Sequence, residues 1–185
     1  MSEGARVPRP YVGAAQNAPT GVDGGQFCAE LEGNEIVVFI IGMRINRLRR
    51  VSSWWPVARS MRRMLEELQG RPDAGLLGAR SFWSGRMLLT IQYWRSLEQL
   101  GAYARDGKLA HAPMWGAFNR RTAATADVGI FHETYTVRAD QIETLYGNMP
   151  PFGLAAAQRA VPRSVRARSH AGERLGQNDP EYVRS

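Results

Sequence analysis

The spacing of hydrophobic positions changes several times along the chain, and each change marks an element. From Asn34 the run EIVVFIIGMRI is continuously apolar and rich in β-branched residues, which predicts a buried strand ending near Ile45 and Asn46. After the basic turn NRLRRVSS, Val57, Met61, Met64, Leu65 and Leu68 recur at helical spacing, with Arg59, Arg62 and Arg63 on the opposite face. Ser53 is the expected cap of this helix, Pro56 suits its first turn, and Gly70 ends it. LLGARSFWSG and RMLLTIQYWR then read as two strands joined at Ser84-Gly85, a turn tight enough to require antiparallel pairing.

Ser96 and Gln99 form a capping box for a second helix with Leu97, Leu100 and Tyr103 or Ala104 on its apolar stripe. Gly107 ends or bends it, and Pro113 opens a further piece through Met114, Trp115 and Phe118 to Arg121. In the last clear strand, DVGIFHETYTV, strict alternation puts Val128, Ile130, His132, Thr134 and Thr136 on one side, and Gly129, Phe131, Glu133, Tyr135 and Val137 on the other. QIETLYGNMPPFGL follows as an extended piece expected to wrap a neighbouring subunit.

The order strand, helix, strand, strand, helix, strand predicts an α+β fold of the ferredoxin-like βαββαβ type. Residues 34–155 would form the domain, residues 1–33 an irregular Gly/Pro-rich arm outside the core, and residues 156–185 a basic, disordered tail. Both helices would cover one face of the sheet. The other face is too apolar to stay wet, which predicts a homodimer with its two sheets facing each other as a dimeric α+β barrel.

Composition narrows the setting. A single cysteine, Cys28, excludes an internal disulfide framework and fits a reducing cytoplasm. No stretch approaches the roughly 18 apolar residues of a membrane span, and the first residues lack the apolar centre of an export signal. The net charge of +7 is almost all arginine, Lys108 being the only lysine, and is divided between the first helix and the tail. Without interleaved aromatics in that tail, specific nucleic-acid binding is not expected. The chain has no Gly-rich phosphate loop, zinc-spaced Cys/His set or nucleophile elbow.

The chemistry-bearing stretch is Gln92 to Arg121, where His111 and Trp115 share a helical face. The spacing leaves two readings of His111 open: a core histidine bonded to a backbone carbonyl, or an imidazole able to bind haem iron. FIIGMRINR, WWPVARSM, QYWRSLEQLGAYARD, HAPMWGAFNRR, DVGIFHETY and NMPPFG resemble a bacterial and fungal monooxygenase-like family over residues 35 to 155. More distantly the chain resembles the dimeric α+β barrel superfamily, which includes antibiotic-biosynthesis and haem-degrading monooxygenases, spheroidene monooxygenase and aldoxime dehydratases.

The resemblance implies a monooxygenase-type oxidoreductase acting on an apolar or aromatic small molecule. It also allows a haem-dependent dehydratase, or a binding module without catalysis. By analogy with the haem-degrading members, Asn46 falls at the asparagine beside the haem and His111 at the iron ligand, making His111 the metal-binding residue. Tyr103 stands in for a tryptophan at a different spacing, while Trp94, Trp115 and Phe118 line the cleft. In the cofactor-free chemistry of the superfamily, His132 is the candidate general base, and otherwise a cross-strand or surface histidine.

Overall fold

The computed structural model describes residues 18–106, 116, 118 and 125–163. The described residues fall into two compact units, one within residues 37–136 and the other of residues 18–36 with 137–163. In chain order the strands are β1 (Asp23–Glu30), β2 (Glu35–Ile45), β3 (Leu76–Ser84), β4 (Met87–Trp94), β5 (Val128–Arg138), β6 (Tyr146–Met149) and β7 (Arg159–Pro162). Helices fully within the described residues are α1 (Val51–Gln69), α2 (Leu97–Arg105) and the short α3 (Leu154–Ala157).

In the larger unit four strands lie in the order β3-β4-β2-β5, the ferredoxin-like arrangement the sequence predicts. β4 pairs antiparallel with β2, Val37 opposite Trp94 and Arg44 opposite Met87, and also with β3. Alternation along these strands separates two faces. Val37, Phe39, Ile41, Met43 and Ile45 of β2 face the helices and join Leu68, Leu100 and Tyr103 at one end of the core and Met61 and Val128 at the other. Val38, Ile40, Ile91 and Tyr93 lie on the opposite face in cross-strand register.

Gly42 keeps β2 close to β5, because an added Cβ would collide with the Phe131 ring. Met43, Trp94 and Val37 are fully buried, and each side chain of this kind contributes roughly 1.5–3 kcal/mol by leaving water.

The helix ends differ in part from expectation. Ser96 Oγ does accept from Gln99 N at 3.2 Å, but the Gln99 side chain reaches across to Asp73 O at 3.4 Å and leaves the capping box half made. α1 starts at Val51 with no side-chain cap, so Pro56 lies inside the helix. Ser53 is diverted to the Asp127 carboxylate, since bonding a charged acceptor outweighs capping a backbone amide.

In the smaller unit β1 is the central strand of a three-stranded sheet ordered β6-β1-β7. Within the irregular arm expected over residues 1–33, residues 23–30 instead form this strand, in which Phe27, Cys28 and Ala29 are buried and Phe27 stacks on Tyr146 at 5.0 Å. Three successive buried residues between partner strands leave no alternation to read, and the glycines before them dilute the pattern.

The disorder expected from residue 156 also gives way to a strand, with Cys28 opposite Val161 and Ala29 opposite Ala160. The extended piece after residue 140 forms β6 on the same chain's β1, and Asn148 Oδ1 accepts from Gly25 N at 2.9 Å. Among the described residues no helix is long and apolar enough to cross a membrane.

Candidate functional site

A cleft of about 390 Å³ opens within the larger unit, between α1, α2 and the helix-facing side of the sheet. Its size falls in the range of small-molecule sites. Phe39, Ile41, Met61, Met64, Leu65 and Leu68 supply apolar walls, and Trp94, Leu100 and Ala104 close the α2 side. Its polar groups are Thr90, Gln92, His132 and Thr134 on helix-facing strand positions, and Tyr103 on α2.

Strand alternation explains how these groups converge. Thr90, Gln92 and Trp94 occupy every second position of β4, and His132 and Thr134 do so on β5. Gln92 is buried and accepts from Trp94 Nε1 at 2.8 Å, which fixes the orientation of its amide. Thr90, also buried, shares a 2.8 Å hydrogen bond with Ser81 Oγ on β3. The His132 imidazole leans on the Phe39 ring, with centroids 5.8 Å apart. A flat apolar neighbour holds an imidazole in place without engaging its nitrogens.

Tyr103 packs against Trp94 with ring centroids 5.8 Å apart. Burial pushes its phenol up to about 12, the nearby Glu67 charge adds to the rise, and Arg71 partly offsets it. The group therefore stays protonated through the physiological range and can act as a hydrogen-bond donor.

Of the residues singled out from sequence, the cleft brings together Tyr103, His132 and Trp94. Asn46 does not join them. It lies just past the end of β2, where Nδ2 donates to Ala126 O at 2.9 Å and Oδ1 accepts from Arg44. Phe118 packs against the Met43, Ile45, Met61 and Val128 cluster. His111 and Trp115 lie outside the described residues.

Thr90, Gln92 and Thr134 were not singled out from sequence. Their signal was available, since polar residues on the inward side of otherwise apolar strands rarely occur without a partner or a ligand.

Haem makes two demands on such a cleft, an axial ligand and cations for its propionates. Among the described residues lining it there is no arginine or lysine, and His132 is the only histidine. Those residues do not by themselves fit the group. Among the described residues, no three His, Cys, Asp or Glu side chains gather to hold a metal ion.

Fold and cleft together define a small α+β protein with a ligand-sized apolar site under its helices. The chain belongs to the Monooxygenase af470-like family, whose pattern matches residues 36–154. No curated protein matches it in sequence.

Among solved structures, it is similar to a conserved Bacteroides thetaiotaomicron protein described as a possible oxidoreductase. That match has 15% identity, covers 57% of this chain and 100% of the other, and has a TM-score of 0.39. It is also similar to SnoaB, a cofactor-independent oxygenase from Streptomyces nogalater, at 12% identity over 57% of this chain and 95% of SnoaB, with a TM-score of 0.38. An aldoxime dehydratase crystallised with butyraldoxime overlaps at 12% identity, covering 73% of this chain and 42% of the dehydratase, with a TM-score of 0.47. Overlaps at this level carry no inference about chemistry.

Proposed function

We propose that the chain is a monooxygenase-type oxidoreductase that binds an apolar, phenolic aromatic molecule in the cleft and needs no cofactor for the oxygen step. The observation carrying this reading is the wall of the cleft in a member of a monooxygenase-like family. Among the described residues the lining is mainly apolar, with uncharged donors and acceptors beside one imidazole, and the cleft is about 390 Å³ in volume.

In the proposed reaction His132 takes the phenolic proton, and the resulting electron-rich anion passes one electron to dioxygen. The phenol is the enol form of an activated CH2 group, so the radical is centred on that carbon; its recombination with superoxide forms a C–O bond there, and the proton held by His132 returns to the peroxide to give a hydroperoxide. Loss of water then leaves a carbonyl. One oxygen atom ends in the product and the other in water, so CH2 plus O2 gives C=O plus H2O with the substrate supplying all four electrons. Tyr103, kept neutral, and Gln92 hold the substrate oxygen, while the apolar walls orient the ring.

The working unit in this reading is a homodimer joined through the open sheet face of Val38, Ile40, Ile91 and Tyr93. Turnover is tested by oxygen uptake with hydroxylated anthrones or naphthols, together with product mass after labelling with ¹⁸O2. One labelled oxygen per product is expected. Absence of uptake with any phenol would leave a binding module.

An ultraviolet and visible spectrum during haem titration, repeated with His111→Ala, separates the haem-dependent oxygenase and dehydratase alternatives. A Soret band lost in that variant would replace the cofactor-free reading.

A further inference from the structure

On the other flank of α1 lies a second depression of about 590 Å³, roofed by the helix and floored by β3 and β4. It shares Met61, Leu65 and Thr90 with the substrate cleft, so the two adjoin. The rims differ in character. Arg59, Arg62 and Arg63 of α1 line this groove, and exposed Trp55 stands one turn before them. Among the described residues Arg62 pairs with Glu66 at 2.7 Å, whereas Arg59 and Arg63 have no carboxylate partner. Behind the cations the wall is largely apolar, formed by Ala58, Met61, Leu65 and Leu88 with the hydroxyls of Ser81 and Thr90, and the Glu66 carboxylate on the rim is engaged by Arg62.

We propose that this groove is a second binding site, for a small molecule with an aromatic or aliphatic body ending in an oxyanion. Two guanidinium groups without a carboxylate partner among the described residues match a carboxylate or phosphate through paired charge-assisted hydrogen bonds. The Trp55 indole supplies a face for the body of the ligand, and the bounded volume suits a small molecule better than a peptide or nucleic-acid strand. The site does not depend on the oxygenase reading of the neighbouring cleft, whose described lining carries no arginine.

Isothermal titration of the full chain with 2-naphthoate, 2-naphthyl phosphate and the neutral 2-naphthylmethanol tests the proposal. At least one anion is expected to bind about tenfold tighter than the alcohol at low salt, and the advantage should shrink at high salt because the cations are exposed. Whichever anion binds more tightly identifies the headgroup. The double variant Arg59→Gln/Arg63→Gln should abolish the preference, and Trp55→Ala should weaken both anions and the alcohol alike. These side chains are exposed, so the variants should keep the wild-type circular dichroism. Equal binding of anion and alcohol, or a preference that survives the double variant, would overturn the proposal whatever the cleft proves to catalyse.

Discussion

The carboxylate of Asp127, at the foot of β5, accepts a hydrogen bond from Ser53 Oγ in the first turn of α1 at 2.8 Å. Arg47 Nη1 donates to its other oxygen at 2.9 Å, and the backbone amides of Asn46 and Arg47 both donate to its carbonyl. One buried residue thus ties the end of β2, the start of α1 and the start of β5 together. The Ser53 hydrogen bond is the main cause that holds the carboxyl below the ordinary carboxylate range, with Arg47 adding to it against the cost of burial.

A folded-state value below the unfolded one means that the stabilisation is present above the unfolded value and is lost as pH falls through the folded one. Asp127→Asn is therefore expected to lower the melting temperature at neutral pH and to flatten its decline in acid. Thermal melts across the acid range check this, and identical acid slopes for the two proteins would remove Asp127 from the account.

Tyr103 works in the opposite pH direction. Its phenol is raised from 10.0 to about 12 in the folded chain, so above pH 10 the unfolded chain loses a proton that the folded one retains. Stability linked to this group is complete below pH 10 and declines towards pH 12, by at most about 2–3 kcal/mol. Tyr103→Phe should remove that alkaline decline while leaving the acid side unchanged. Denaturant titrations at rising pH measure the difference.

The fold was legible where periodicity was strong. β4, β5 and the apolar face of α1 follow from spacing, because each has one face on a core and the period reports it, and β2 follows from its unbroken β-branched run. β1 was hidden because its buried residues are consecutive, and β7 because its buried apolar content is only the pair Ala160 and Val161 in a basic stretch. At the site, His132 and Tyr103 could be picked out as reactive side chains on inward faces. Thr90 and Gln92 could not be ranked without knowing that a void lies over β4, since a polar residue bonded within the core has the same pattern.

If the open sheet face joins two copies, a charge at its centre should separate them. Ile40 and Ile91 are directly opposite each other on β2 and β4. A carboxylate there would be buried in the interface without a partner, a penalty of several kcal/mol that a dimer of ordinary size cannot absorb. Ile91→Glu is expected to give a folded monomer by light scattering with unchanged circular dichroism. A wild-type chain that is already monomeric at high concentration would end the homodimer reading.

His132 offers the sharpest test of the chemistry, because its neighbours separate binding from proton transfer. The apolar walls and the Phe39 ring against which the imidazole leans remain in His132→Ala, so the substrate should still enter with little change in KM. If His132 is the base, its loss should lower kcat by about 10²–10⁴. Added imidazole should restore part of the rate, since truncation leaves a space of its own shape beside the cleft. A variant with wild-type turnover would take His132 out of the chemistry and move the proton to solvent or to His111.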